Sequence, residues 1–242
     1  MQVRISSTTS YDVATFGHYA GATESNYSKL LQIGRVVSLI NDGAFDEQFC
    51  VAQYSSALYS NKYGLPSDQR SLVILASKGH SADEFWDVVR RIRRPTVFYK
   101  RRPASDWSVD TARPLYSPTD DDVLKVVSAS VESPIHISFE GVAQIIRQLF
   151  HGHDDERRAQ ERHELEMEAI RVENVAGKAR AARALLTVAE EVKASTISPQ
   201  YKRKILSLVN GVTDRQQQLT ERLGADVELP ATPARRRLRS PE

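Results

Sequence analysis

The chain holds one cysteine, Cys50, in 242 residues, with two methionines and two tryptophans. One thiol closes no disulfide within a chain and supplies no cysteine-rich zinc site. The fold must then rest on its own apolar core, and a reducing, cytoplasmic setting is expected. No apolar run approaches the roughly 18 residues of a membrane-spanning helix, and Met1 to Ile5 carry no secretory core. A membrane partner is therefore not expected. Charge of one sign is also lacking: 33 Lys and Arg against 31 Asp and Glu leave a net +2. That balance is too small to point to a polyanion, so the placement of charge matters more than its sum. Walker and dinucleotide patterns are absent, as is any nucleophile–base spacing. A non-enzymatic chain without cofactor or metal is the expectation.

What is present suggests an α+β fold. Met1 to Ser7 alternates like a short strand, and Thr8 to Glu24, rich in Ser, Thr, Gly and Tyr, is expected as a loop. Tyr27, Leu30, Ile33, Val37 and Ile40 form a helical stripe up to Asn41-Asp42-Gly43. Phe45, Phe49, Ala52, Ser56 and Tyr59 suggest a second helix, although Asn-Asp-Gly also fits a hairpin of paired strands. Ser71 to Ala76 is a buried strand. Ser81 and Glu84 have capping-box spacing at the start of a helix with Phe85, Val88, Val89 and Ile92 on one face. Pro95 stops it and Thr96 to Tyr99 is β-prone, so this region is βαβ-like. Lys100 to Thr119 reads as a loop. Strands are expected over Val123 to Val131 and Ile135 to Phe139, then a helix with Val142, Ile145, Ile146 and Leu149.

Asp154 to Val192 is long, charged and free of proline. Leu165, Val172, Ala179 and Leu186 fall in one heptad row, and Val175, Ala182 and Ala189 in another. Ser198-Pro199 opens a second helix carrying Tyr201, Ile205, Leu208, Val212 and Leu219. A short connection would make the two antiparallel. The expected organisation is a mixed domain over 1–150, a long helical hairpin over 151–224 hinged at His151-Gly152-His153, and a disordered basic tail over 225–242. Leu165, Val172, Val175, Leu186, Ile205 and Leu208 would then form a surface for a protein partner or self-association.

Two other features could carry function. Arg90, Arg91, Arg93, Arg94, Lys100, Arg101 and Arg102 cluster without an intervening acid, with Phe98, Tyr99 and Trp107 interleaved. Together with the tail run Arg235 to Arg239, they could hold a phosphate backbone and stack bases. Lys78, Gly79 and Ser81 lie between a strand and a helix N-terminus and could hold an anion. A docking protein acting through the hairpin is the leading expectation. Nucleic-acid association and anion or nucleotide sensing are the alternatives.

Overall fold

The computed structural model describes residues 2–7, 12–53, 72–76, 81–101, 112–116, 122–130, 135–152 and 187–228. Lys78, Gly79, Arg102, Trp107, Leu165, Val172, Val175, Leu186 and the run Arg235 to Arg239 lie outside them. The fold is mixed helix and strand, as the sequence suggests, with two antiparallel sheets. In the first, β6 (Lys125–Ser130), β7 (Ile135–Glu140), β1 (Gln2–Ser7) and β8 (Asp226–Glu228) lie side by side in that order. In the second, the order is β3 (Leu72–Ile74), β2 (Phe49–Ala52), β4 (Val97–Tyr99) and β5 (Arg113–Pro114). Both β3 and β4 run antiparallel to β2, so they are parallel to each other across it. Helix α2 (Ser81–Arg91) joins them, which makes the βαβ-like unit a crossover around a central strand.

The loop expected before Glu24 is instead helix. Helix α1 runs from Val13 to Asn41, and Asp12 caps it by accepting from the Thr15 N–H. Its polar opening turns have a use: Tyr19, Thr23 and Asn26 are buried against another helix. Beyond Ser25 the helix is enclosed on nearly every side, so polar residues had to find internal partners. Gln32 donates to the Pro95 carbonyl at 2.8 Å and accepts from the Val97 N–H at 2.7 Å. Tyr27 donates to the Asp122 carbonyl and accepts from the Val142 N–H, both at 2.7 Å. Through these two side chains α1 meets β4 and the chain just before β6 and just after β7.

The second helix expected from Phe45 does not form over its described part. One 3-10 turn, Asp46–Gln48, leads into β2, whose four residues are all buried. A strand flanked by neighbours on both edges and covered on both faces needs no alternation, and its short apolar run mimics a helix segment. Phe49 and Cys50 could be read either way from spacing alone.

The C-terminal part differs most from expectation. Helix α3 (Ala143–His151) forms as anticipated, burying Ile145, Ile146 and Leu149. An unbroken helix to Val192 does not: Thr187 is extended, at φ −71° and ψ 162°. Its hydroxyl accepts from the Glu190 N–H, and the Glu190 carboxylate accepts from the Thr187 N–H at 2.8 Å. That capping box starts a new helix, α4 (Val188–Ala194). Helix α5 (Pro199–Arg222) begins at proline as expected, but it is not an arm standing off the body. It packs on α1, α3, α4 and α2. Ile205 and Leu208, assigned above to a partner surface, are 0 % and 5 % exposed within the main core. Their apolar side chains are already spent on intramolecular packing. The described residues of 187–228 therefore share one core with the described residues of 2–152, with no break at 150. Nor is Gly152 an open hinge, since a Cβ there would lie 2.5 Å from Thr213 Cγ2. The expected tail does not hold for 225–228, because Asp226–Glu228 pairs with β1 and the Ser7 hydroxyl donates to the Leu223 carbonyl at 2.9 Å, and residues 229–242 lie outside the described residues.

Candidate anion-binding face

The basic patch of the sequence separates into two groups. Arg90, Arg91, Arg93 and Arg94 end α2 and precede β4, whereas Lys100 and Arg101 follow it. Six residue-to-residue steps of near-extended chain, roughly 20 Å, divide Arg94 from Lys100. Lys100 and Arg101 sit against Gln48, whose side-chain amide donates to both of their carbonyls. Arg94 turns inward. It faces the Glu24 carboxylate at 2.7 Å and donates to the Ser25 hydroxyl at 3.0 Å, so it ties the loop to α1. The aromatic residues are engaged as well. Phe98 is buried, and the Tyr99 ring lies 5.3 Å from that of Phe49. The base-stacking half of the expectation therefore has no described residue to carry it.

Helix α5 supplies what the linear patch did not reveal. Lys204, Arg215 and Arg222 follow at intervals close to whole helical turns and so share one side. That side adjoins the C-terminal arginines of α2. A cleft of about 380 Å³ is lined by Arg91, Arg93, Arg215 and Arg222, with Ser25, Asn26 and Gln218 between them. Arg91 donates from Nε to the Asp87 carbonyl and Arg215 to the Gly211 carbonyl, both backbone groups of their own helices. Neither they nor Arg93 has an acidic partner among the described residues. Guanidinium groups without an acidic partner, such as those of Arg91, Arg93 and Arg215, repel one another when gathered, and an anion between them would relieve that repulsion.

Lys29 lies one turn beyond Ser25 and Asn26 on α1 and is 2 % exposed. Its Nζ donates to the Arg90 carbonyl at 3.2 Å. Burial first, then the charge of Arg215, lowers its pKa to about 8. A buried ammonium next to an arginine cleft adds positive potential that an anion would relieve.

A second recess, of about 310 Å³, lies further along α5 between Arg90, Arg203, Lys204 and Ser207. Asp87, Trp86 and Leu208 line it as well, the last two 3 % and 5 % exposed. Arg90 pairs with Asp87 and Lys204 with Asp83, whereas Arg203 has no acidic partner among the described residues. The Trp86 ring packs edge-on against Phe85 at 5.0 Å. Its buried Nε1–H has no acceptor. Two other buried polar atoms among the described residues lack hydrogen bonds, but Glu24 Oε2 faces Arg94 and Asp83 Oδ1 faces Lys204. An unpaired indole N–H costs about 1 to 3 kcal/mol.

The remaining features are quieter. Ser81 opens α2, with Lys78 and Gly79 outside the described residues. Cys50 is fully buried, which pushes its thiol pKa up and leaves it unreactive. Among the described residues there is no group of three or more metal-ligating side chains. No described helix is long and apolar enough to cross a membrane. Set against known protein families, curated proteins and solved structures, the chain has no significant match, so its reading rests on this geometry.

Proposed function

We propose that this chain is a non-catalytic binding protein for nucleic acid, holding the phosphate backbone along α5 and the end of α2. The observation that carries this reading is the cleft where Arg91, Arg93, Arg215 and Arg222 converge from two parts of the chain. Arg203 and Lys204 extend the basic face along the same helix toward its N-terminus. From 203 to 222 the helix spans roughly 28 Å at 1.5 Å per residue, enough for several consecutive phosphates. With Phe98 buried and the half-buried Tyr99 ring set against Phe49, the contacts proposed are to backbone, and binding is expected to be insensitive to base sequence. The test is binding of the full chain to a generic oligonucleotide over a salt series. Affinity should fall log-linearly with salt. Arg93→Gln and Arg215→Gln should each lower the magnitude of the slope by about 1. Absence of measurable binding at low salt would remove the proposal.

A second reading is that residues 153–186 dock a protein partner or a second copy of the chain. It is favoured by their heptad spacing in sequence and by where the chain leaves and returns. Gly152 closes α3 against Gln148, and the Gln148 side-chain oxygen accepts from the Ala189 N–H at 3.2 Å, just past Thr187. The segment thus starts and ends beside one side chain, as an insertion would. The finer expectation of a long hairpin belongs to this reading, now without α5 as its second arm.

A further inference from the structure

We infer that Lys29 is a positioning residue of the arginine cleft: its buried ammonium fastens the end of α2 that carries Arg91, and an anion bound in the cleft is coupled to the proton on that ammonium. The inference deepens the nucleic-acid reading and rests on it. Lys29 stands where the three elements that line the cleft meet. It belongs to α1, one turn past Ser25 and Asn26. Its Nζ donates to the Arg90 carbonyl at 3.2 Å, in the last turn of α2. From α5 it feels the charge of Arg215. Arg91 follows that carbonyl directly and Arg93 comes two residues on, so the bond fixes the stretch of backbone from which both reach the cleft. Carbonyls in a last turn have no intrahelical partner and carry the negative end of the helix dipole, which suits an ammonium. The ammonium itself is not neutralised. Lys29 is 2 % exposed and has no acidic partner among the described residues. The charged groups on the elements packed there are mostly cations: Arg90 and Arg91 on α2, Arg93 and Arg94 after it, and Arg215 on α5. Of the acids, Asp87 pairs with Arg90, Glu24 pairs with Arg94, and Asp214 is exposed. A buried ammonium among cations gives up its proton more readily, and a phosphate entering the cleft reverses that bias. Binding then favours the protonated lysine, and by reciprocity the protonated lysine favours binding.

The experiment measures the affinity of the full chain for a generic oligonucleotide at one low salt concentration, from about pH 6.5 to about pH 9. Wild type is compared with Lys29→Met, which removes the charge and the hydrogen bond, and with Lys29→Arg, which keeps a cation that does not titrate. The α-amino group also titrates near pH 8, but all three proteins share it, so the result is read as a difference between profiles. Wild-type affinity should fall about five-fold more over this range than that of either variant, the lower end of the coupling usual between linked sites. Lys29→Met should already be the weaker binder at pH 6.5, whereas Lys29→Arg should hold its affinity up to pH 9. Calorimetric titration at pH 8 in two buffers of different ionisation enthalpy should show wild type taking up about a third of a proton more on binding than Lys29→Met. Should Lys29→Arg fail to fold in so enclosed a position, Lys29→Met carries the test by itself. Parallel pH profiles for wild type and Lys29→Met would overturn the inference and leave the backbone reading intact, even if the variant bound more weakly throughout. Absence of binding by wild type at pH 6.5 would overturn both.

Discussion

Lys29 shows how much a single residue can conceal in sequence. On the helical stripe of Tyr27, Leu30, Ile33 and Val37 it belongs to the polar side, yet it is 2 % exposed because α1 is covered nearly all round. An amphipathic pattern assumes one wet face, and an enclosed helix violates that assumption. Ser28, Lys29 and Gln32 were thus illegible as buried positions. The consequence for pH can be worked out. The Lys29 pKa is lowered from 10.5 to about 8 in the folded chain. Below pH 8 the lysine is charged in both states and its burial costs about 3 kcal/mol. Between about 8 and 10.5 the unfolded chain binds the extra proton, so stability rises with pH. Lys29→Met should therefore be more stable than wild type near neutrality by about 1 to 2 kcal/mol, after the loss of the bond to the Arg90 carbonyl. Denaturant unfolding should show that advantage shrinking above pH 8. A difference constant from pH 7 to 10 would mean that Lys29 is not a buried cation. Polyanion affinity should also fall as pH passes through about 8, because the cleft then loses that charge.

At the scale of elements, α5 was placed well by sequence and assigned the wrong role. Ser198-Pro199 set its start, and the spacing of Ile205, Leu208 and Val212 set its buried face. Spacing says which face is buried but not which neighbour buries it, so a core helix passed for a hairpin arm. The turn-spaced row of Lys204, Arg215 and Arg222 was legible in principle. What hid the site was that its other half comes from α2, over a hundred residues earlier. Linear clustering drew attention instead to Lys100 and Arg101, which β4 carries away from it. Two glycines test the packing assigned to α5. At Gly211 a Cβ meets nothing within 4 Å. Gly211→Ala should stabilise the helix by about 0.5 to 1 kcal/mol while leaving oligonucleotide binding unchanged. At Gly152 the Cβ would press into Thr213 Cγ2 at 2.5 Å and the Gln148 carbonyl oxygen at 2.7 Å. The carbonyl cannot rotate away, so Gly152→Ala should cost about 1 to 3 kcal/mol. Thermal melts of the two variants should move in opposite directions, and equal shifts would mean that α5 does not lie against the end of α3.

Over the whole molecule, the chain closes on itself. β1 lies between β7 and β8, and the Ser7 hydroxyl reaches the Leu223 carbonyl, joining the two ends of the described structure. Asn26 donates to Gln216 at 3.0 Å, and Gln216 donates to Tyr19 and Thr23. These buried bonds fix α5 on α1 as specifically as the apolar contacts do, because a lost partner leaves an unpaired polar group inside. A fragment ending at Phe150, which the sequence suggested as a free-standing domain, would lose Ile205, Val209, Val212 and the Gln216 network together, and should not fold. The part expected to be removable is instead 153–186, since Gly152 and Ala189 both lie against Gln148. About six glycine and serine residues, reaching up to roughly 20 Å, should bridge Gly152 to Thr187. That shortened chain should unfold cooperatively and bind oligonucleotide with an undiminished salt slope, because the residues of the arginine cleft are all retained. If 153–186 is also the assembly element, light scattering should report a smaller particle than for the full chain. Loss of cooperative unfolding would show that 153–186 contributes to the core. An unchanged particle size in a well-folded product would remove self-association from the segment, and an unchanged salt slope would still leave the basic face of α5 as the binding surface.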